Sequence, residues 1–161
     1  LLLVIDIDGT LADINTRAKA AGPVPPRHKR RLFQMWLDKL QKPENLLADR
    51  PIKQNVLLVQ ALAKKPGVTA TYLTGRSERY RDVTELWLGL QGLPPLPLLM
   101  RADNDWRSAA AYKRKLMQRL IKKHRALDGQ VLVLDDDGDG DCSRMYVKLG
   151  CVHLKVVGPR K

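Results

Sequence analysis

The chain has 161 residues, which is the length of one domain and is enough to bury a hydrophobic core. Its hydrophobic fraction of 44% is that of a globular protein, and its two cysteines exclude a disulfide scaffold and suit a reducing cytoplasm. No apolar stretch approaches the roughly 18 residues of a membrane-spanning helix, and the first residues lack the basic start and cleavage site of a secretory leader. We therefore expect a single soluble, cytoplasmic domain over residues 1–161 with no membrane partner.

The charge of the chain is strongly basic, because 29 lysines and arginines stand against 17 acidic residues, for a formal net charge of +12. A basic surface attracts phosphate-rich partners over long distances, which favours a nucleic acid or a nucleotide as the partner. The alternative interpretation is that the excess charge only keeps the protein in solution, since the basic residues are spread along the chain. Aromatic residues make up only 5% of the chain, which argues against a surface that binds single strands by stacking bases.

Apolar runs and amphipathic segments alternate along the chain. Short apolar runs bounded by turn residues predict strands at residues 1–6, 68–73, 131–134 and 151–157, with a further apolar segment at 98–100. Helical spacing of apolar residues predicts helices at residues 28–41, 52–64, 78–90, 108–125 and 143–148. Residues 14–50 are predicted to form a small helical cap inserted after the first strand. Met35 and Trp36 are expected in its helical core, or, as the alternative, on the face of the cap that meets the substrate. The alternation predicts an α/β, Rossmann-like fold, with a parallel sheet and helices on both faces.

The first predicted strand ends in an acidic motif, Asp6-Ile7-Asp8-Gly9-Thr10-Leu11. Asp6 and Asp8 are two residues apart, so a strand that continued to Asp8 would place both side chains on one face. Two carboxylates this close repel one another unless a metal ion, a shared proton or a cationic partner offsets the repulsion. A plain turn with two solvent-facing acids is the alternative interpretation of these two residues taken alone.

Polar residues also follow two other predicted strands. Thr74-Gly75-Arg76 follows the strand at 68–73, and Asp135 and Asp136 follow the strand at 131–134. Because the carboxyl ends of parallel strands lie on one edge of a sheet, these groups and the first motif should meet in one cleft. The Thr74 hydroxyl and nearby backbone N–H groups would form a small anion site there. The clustered carboxylates offer hard oxygen ligands, which suit Mg²⁺ better than a transition metal.

The string D-x-D-G-T-L after an apolar strand resembles the first signature of the haloacid dehalogenase (HAD) superfamily of phosphohydrolases. Beyond that string, the chain is similar to the 3′-phosphatase domain of phage-type polynucleotide kinase–phosphatases. That family has D-x-R followed after five residues by a lysine, as here in Asp105-Trp106-Arg107 and Lys113. The similarity includes Arg17, the two other strand-end motifs and Met145-Tyr146, which follow the second of those motifs, and it extends from residue 4 to about residue 157. Where acids often follow D-x-R in that family, this chain has Ser108-Ala109-Ala110-Ala111.

The resemblance implies a Mg²⁺-dependent phosphatase and assigns its site residues. Asp6 would be the nucleophile, Asp8 the general acid and base, and Lys113 the catalytic lysine. The expected phosphate and substrate ligands are Thr10, Thr74, Gly75, Arg76, Arg101 and Arg107. The expected metal ligands are Asp6, Asp8, Asp135 and Asp136. The acids that follow resemble an EF-hand loop without its final glutamate, so we expect loop acids rather than a calcium site at Asp137, Asp139 and Asp141.

The substrate has two interpretations within this class. The resemblance and the positive charge favour the 3′-phosphate end of a nucleic acid, as in nucleic-acid repair, whereas a helical cap over a small cleft favours a free nucleotide and hence a nucleotidase. A non-catalytic nucleic-acid-binding module is a third interpretation, against which the intact acidic motifs argue. No P-loop occurs in the sequence, so a kinase or ligase would be a separate partner.

Overall fold

A computed structural model describes residues 1–137 and 140–156 of the chain. The strands of its main sheet are β1 (Leu2–Ile5), β4 (Thr69–Ser77), β5 (Leu98–Arg101), β6 (Val131–Asp135) and β7 (Val152–Lys155). All of them run parallel, in the order β5-β4-β1-β6-β7, so that β1 lies at the centre. Two short strands, β2 (Ala12–Asp13) and β3 (Arg50–Pro51), form a separate antiparallel pair. The predicted parallel sheet is confirmed.

Helices connect the strands, and each predicted helix is present. They are α1 (Asn15–Ala21), α2 (Arg30–Leu40), α3 (Pro43–Ala48), α4 (Lys53–Ala63), α5 (Arg81–Leu90), α6 (Ala109–His124) and α7 (Asp141–Lys148). A 3₁₀ turn over Glu78–Tyr80 leads into α5. Ser108 begins α6 as its N-cap, since its hydroxyl accepts a hydrogen bond from the N–H of Ala111. No helix among the described residues is long and apolar enough to cross a membrane.

β4 is longer than the sequence pattern predicts. The sequence predicts that the strand ends before Thr74-Gly75-Arg76, but in the structure it continues to Ser77. The reason is the neighbouring strand β5, whose Arg101 pairs with Ser77 after an irregular stretch that follows Leu73. The three predicted turn residues therefore belong to an extended strand. The predicted strand at 151–157 is confirmed over Val152–Lys155, and residue 157 lies outside the described residues.

The sheet separates two hydrophobic cores, and alternate residues of β1 enter each of them. Leu3 and Ile5 pack on the face covered by α4 and α5, whereas Leu2 and Val4 pack on the face covered by α6 and α7. Burying one large apolar side chain stabilises the fold by roughly 1.5–3 kcal/mol, and β1 has four buried residues in a row. Helices on both faces are therefore confirmed, and the rigid β1 places the residues that follow it.

The helical insertion leaves the sheet directly after the first acidic motif. Helices α1, α2 and α3 lie between β2 and β3, which close the insertion as a two-stranded stem. The prediction that Met35 belongs to the helical core is wrong, because its side chain is 58% exposed. Phe33 and Leu40 are buried instead, seven residues and therefore about two turns apart on one face of α2. Trp36 is half-buried and its indole N–H donates to the carbonyl of Gly22 at 3.0 Å.

Candidate active site

A cleft of about 370 Å³ opens at the carboxyl end of the sheet. The predicted residues that line it are Asp6, Asp8, Gly75, Lys113, Asp135 and Asp136. It is also lined by Gln41, Ala109, Asp137 and Cys142, which the sequence analysis does not place in the site. The groups come from the end of β1, from β4, from α6, from the end of β6 and from the insertion. The topology of the sheet therefore brings together groups that are more than 100 residues apart in sequence.

Lys113 is the centre of a buried ionic network in this cleft. Its Nζ lies 3.0 Å from Asp6 Oδ1 and 2.7 Å from Asp135 Oδ2. The hydroxyl of Tyr146 donates to the same Asp135 oxygen at 2.7 Å, and the N–H of Asp137 donates to the other at 2.9 Å. Lys113 sits on the buried face of α6, and only 5% of it is exposed. The lysine is thus held on the two carboxylates by packing as well as by charge.

The first motif and the end of β6 touch through Gly9, Thr10 and Asp136. The Thr10 hydroxyl accepts a hydrogen bond from the N–H of Asp136 at 3.0 Å, which joins the two strand ends. Gly9 has φ of +80°, a backbone conformation that favours glycine. A Cβ atom at Gly9 would also collide with the Asp136 carboxylate. The glycine of D-x-D-G is therefore required both by the turn and by the close approach of Asp136.

Three carboxylates of the cleft form an acidic group that could hold a metal ion. One oxygen each of Asp6, Asp135 and Asp136 lies within 4.8 Å of the others. Burial, together with the negative charge of its neighbours, raises the pKa of Asp6 well above its ordinary value, although Lys113 opposes this shift. Burial and Asp135 raise the pKa of Asp136 to about 6. The group is short of positive charge, and its oxygen-only donors fit a hard divalent cation such as Mg²⁺.

Asp8 is held by two arginines rather than by this acidic group. Its Oδ1 accepts hydrogen bonds from Arg17 Nη2 at 2.6 Å and from Arg76 Nε at 2.8 Å. Burial alone would raise the pKa of Asp8, but the two guanidinium groups outweigh it and hold that pKa well below its ordinary value. The Asp8 side chain remains 23% exposed toward the cleft. The idea that Asp8 is also a metal ligand stays a prediction.

The two arginines are anchored in turn by Asp49, which follows α3. Its carboxylate accepts from Arg17 Nε at 2.9 and 3.0 Å and from Arg76 Nη2 at 3.1 Å. Burial raises the pKa of Asp49 to about 6 against the pull of the arginines. The indole N–H of Trp87 donates to the Asp49 carbonyl at 2.9 Å, and the Arg76 guanidinium lies over the Trp87 ring. The insertion is therefore tied to the candidate active site by a buried ion cluster.

The remaining predicted phosphate ligands make mostly internal contacts. The Thr74 hydroxyl accepts from the N–H of Arg76 at 3.2 Å, and its side chain is buried. Arg101 Nη1 donates to the carbonyl oxygens of Asp105 and Arg107, with its guanidinium over the Tyr112 ring. The exposed Arg107 pairs with Asp105 and lies outside the cleft. Roles in binding phosphate stay predictions for these residues and for Arg76.

Besides Ala109, Asp137 and Cys142, which line the cleft, four polar residues that contact the site are missing from the sequence-based assignment, namely Arg17, Gln41, Asp49 and Tyr146. Arg17 and Tyr146 do occur in the sequence segments that resemble the phosphatase family, so the resemblance offered a signal for them. Gln41 and Asp49 carry no such signal. Gln41 enters the cleft from the end of α2, where its Oε1 accepts from the N–H of Ser77 at 2.9 Å. These two residues come from the insertion, whose position depends on tertiary packing.

No protein-family model and no curated protein matches the chain, but solved structures do. A chain of the Pnkp1/Rnl/Hen1 complex matches with 23% identity and a TM-score of 0.68, over 99% of this chain and 47% of that chain. The Pnkp1/Rnl/Hen1 RNA repair complex matches with 21% identity and a TM-score of 0.68, over 99% of this chain and 43% of that chain. A HAD family enzyme from Bacteroides thetaiotaomicron, bt-2542, matches with 10% identity and a TM-score of 0.59, over 99% of this chain and 96% of that chain. Its structure is a complex with magnesium and inorganic phosphate.

These similarities establish the fold. The chain has the Rossmann-like α/β fold of the HAD enzymes, as the first signature indicates, over nearly its full described length. The chain spans about half the length of the Pnkp1-complex chains that it matches.

Proposed function

We propose that this protein is a HAD-type phosphatase, a phosphoric monoester hydrolase that works through a phospho-aspartate on Asp6. The observation that carries the proposal is one cleft in which Asp6 contacts Lys113 while Asp8 is held beside it by two arginines. Phosphoryl transfer needs a nucleophile in line with the leaving oxygen, a proton donor and positive charge near the phosphoryl oxygens. The cleft supplies a residue for each of these tasks.

Two steps account for hydrolysis with these residues. In the first, an Asp6 oxygen attacks phosphorus, the ester P–O bond breaks, and Asp8 gives its proton to the leaving oxygen. In the second, Asp8 takes a proton from a water molecule whose oxygen attacks phosphorus, the bond between phosphorus and the Asp6 oxygen breaks, and inorganic phosphate leaves Asp6 as a free carboxylate. The arginines favour the ionised form of Asp8 that the second step needs. An incoming phosphate dianion favours the protonated form that the first step needs, because like charges repel.

We further propose Mg²⁺ as the cofactor, held by Asp6, Asp135 and Asp136. Bound there, the ion would add positive charge next to the phosphoryl oxygens and offset the repulsion among the three carboxylates. Lys113 and Tyr146 fix the orientation of the Asp135 carboxylate, and the Thr10 hydroxyl fixes the backbone at Asp136. The bt-2542 enzyme, which shares this fold, contains magnesium and inorganic phosphate.

The proposed substrate is the 3′-phosphate end of a nucleic acid. The resemblance to polynucleotide 3′-phosphatases, the net charge of +12 and the structural similarity to a chain of an RNA repair complex support this choice. In that setting a kinase or a ligase is the expected partner activity. The competing substrate is a free nucleotide, which the buried Gln41 of the insertion and the small volume of the cleft favour.

Phosphate release from three substrates tests the proposal: a 3′-phosphorylated oligonucleotide, a nucleoside monophosphate and an aryl phosphate, each with and without Mg²⁺. Asp6→Asn should lower turnover at least ~10³-fold, since the amide has nearly the same shape but cannot attack phosphorus. If this variant keeps more than about a tenth of the activity, the phospho-aspartate mechanism is wrong. A preference for the mononucleotide over the oligonucleotide would make the protein a nucleotidase.

A further inference from the structure

A second groove, of about 570 Å³, lies beside the candidate active-site cleft, between α6 and α7. The same two helices form walls of both depressions. On α6, Lys113 lines the cleft and its neighbour Arg114 lines the groove; on α7, Cys142 lines the cleft and Arg144 lines the groove. The cleft and the groove are therefore neighbours, so the groove is the next depression that a chain-like ligand with its end at Asp6 would meet along these two helices.

The groove is strongly basic. The cationic side chains that line it are Arg107, Arg114, Arg144 and Lys148, against the single carboxylate of Asp141. Arg107 pairs with Asp105, and Arg144 pairs with Asp141. In the part of the chain that the structure describes, neither Arg114 nor Lys148 belongs to an ion pair, and both are exposed. Their charge is available to a ligand that carries phosphate groups.

The other lining residues favour a ligand backbone rather than bases. Ser108, Ala110 and Ala111 are small and uncharged, so they leave room and bring no negative charge to the groove. Met145 is the one large apolar residue among the described lining residues, and it is buried. No aromatic side chain is among the described lining residues, which removes the usual means of stacking bases. Contacts with phosphates position a strand but carry no sequence information.

We propose that this groove binds the sugar–phosphate backbone of a single-stranded nucleic acid whose 3′-phosphate end occupies the cleft. The proposal rests on the proposed function and deepens it, because it makes a polynucleotide rather than a free nucleotide the substrate. Arg114 and Lys148 contact backbone phosphates and release counterions, so binding weakens as salt rises. Arg144 lies about 6 Å from Lys148 along the axis of α7, which lets one helix serve successive phosphates.

The kinetic test uses the double variant Arg114→Ala/Lys148→Ala. The matched control is Lys64→Ala/Lys65→Ala, which removes the same charge at the end of α4, on the opposite face of the sheet. The substrates are single-stranded DNA and RNA oligonucleotides with a 3′-phosphate, and a nucleoside 3′-phosphate. The KM for the oligonucleotides, relative to that for the nucleoside 3′-phosphate, should rise about tenfold in the groove variant and stay unchanged in the control. The slope of log KM against log salt should fall by about 1.4, which is about 0.7 for each backbone phosphate that the variant no longer neutralises.

Binding of a 3′-hydroxyl strand, measured by fluorescence anisotropy, tests the groove without catalysis. One outcome separates the two proposals: the protein hydrolyses no phosphomonoester but binds this strand, and only the groove variant loses about tenfold in affinity. In that case the proposed phosphatase function is wrong, and the proposal that the groove binds a strand is supported. Equal affinity of the groove and control variants for the strand overturns the groove. Binding of an acidic peptide, but not of the strand, in a manner sensitive to the groove variant would assign the groove to a protein partner instead.

Discussion

Replacement of Asp49 by asparagine tests the buried ion cluster that ties the insertion to the candidate active site. The side chains of Arg17, Asp49 and Arg76 are at most 3% exposed, and Asp49 accepts three hydrogen bonds from the two guanidinium groups. Asparagine has nearly the same shape but no charge. The two buried guanidinium groups would then share one carboxylate, that of Asp8, whose Oδ1 already contacts both of them.

The expected loss of stability follows from the cost of a buried charge without its partner. Removing one member of a buried ion pair costs about 3–5 kcal/mol, because the remaining charge stays desolvated. For a domain of this length, 1 kcal/mol corresponds to a change of roughly 2–4 °C in Tm, so Tm should fall by about 6–20 °C. A domain whose stability lies above the lower end of the usual range of about 5–15 kcal/mol remains folded at room temperature after such a loss. Activity should fall too, since Arg17 and Arg76 position Asp8.

Thermal unfolding followed by circular dichroism measures this loss. The control is Asp103→Asn, because Asp103 pairs with Arg79 at 3.4 Å on the surface, with both side chains about two-fifths exposed. An exposed pair contributes about 0–1 kcal/mol, so the control should change Tm by only a few degrees. If Asp49→Asn changes Tm no more than the control does, the cluster is not the buried, tightly coupled unit described above.

Three further predictions concern the acidic motifs. Gly9→Ala should reduce both Tm and activity, because the new Cβ collides with the Asp136 carboxylate. The control is Gly67→Ala, at φ of +77° with no atom within 4 Å of the added Cβ, which should reduce Tm slightly and leave activity unchanged. Similar losses of activity in the two variants would contradict the close approach of Gly9 and Asp136. The pKa of Asp8 is lowered in the folded protein, so its contribution to stability is complete above about pH 4 and is lost as pH falls below that value. Asp8→Asn should therefore flatten the decrease of Tm on acidification. If Tm falls with pH in the variant as steeply as in the unmodified protein, this contribution is refuted. EDTA should abolish activity and added Mg²⁺ should restore it. Asp135→Ala should raise the Mg²⁺ concentration needed for half-maximal activity. If that concentration is unchanged, Asp135 is not a metal ligand.

Sequence patterns are sufficient to define the class of fold and the chemical centre. The apolar run before Asp6 is typical of a buried strand, and the alternation of strands and helices favours a parallel sheet. Because parallel strands share one edge for their carboxyl ends, the convergence of Asp6 with Asp135 and Asp136 follows without knowledge of the packing. The position of Lys113 in the cleft came from the resemblance, since other lysines of α6 have the same local sequence character.

The pairing of the charges, in contrast, depends on the tertiary structure. Thr74-Gly75-Arg76 continues a strand because β5 lies alongside, and Arg76 points its guanidinium at Asp8, 68 residues earlier, and at Asp49, 27 residues earlier. The pairing also assigns Asp8 to the arginines and not to the acidic group around Lys113. Periodicity and motif spacing predict which face of a helix or strand is buried. They do not predict which charged side chain from a distant part of the sequence contacts that face. That choice depends on where the insertion packs, and the resulting contacts set the pKa of each acid.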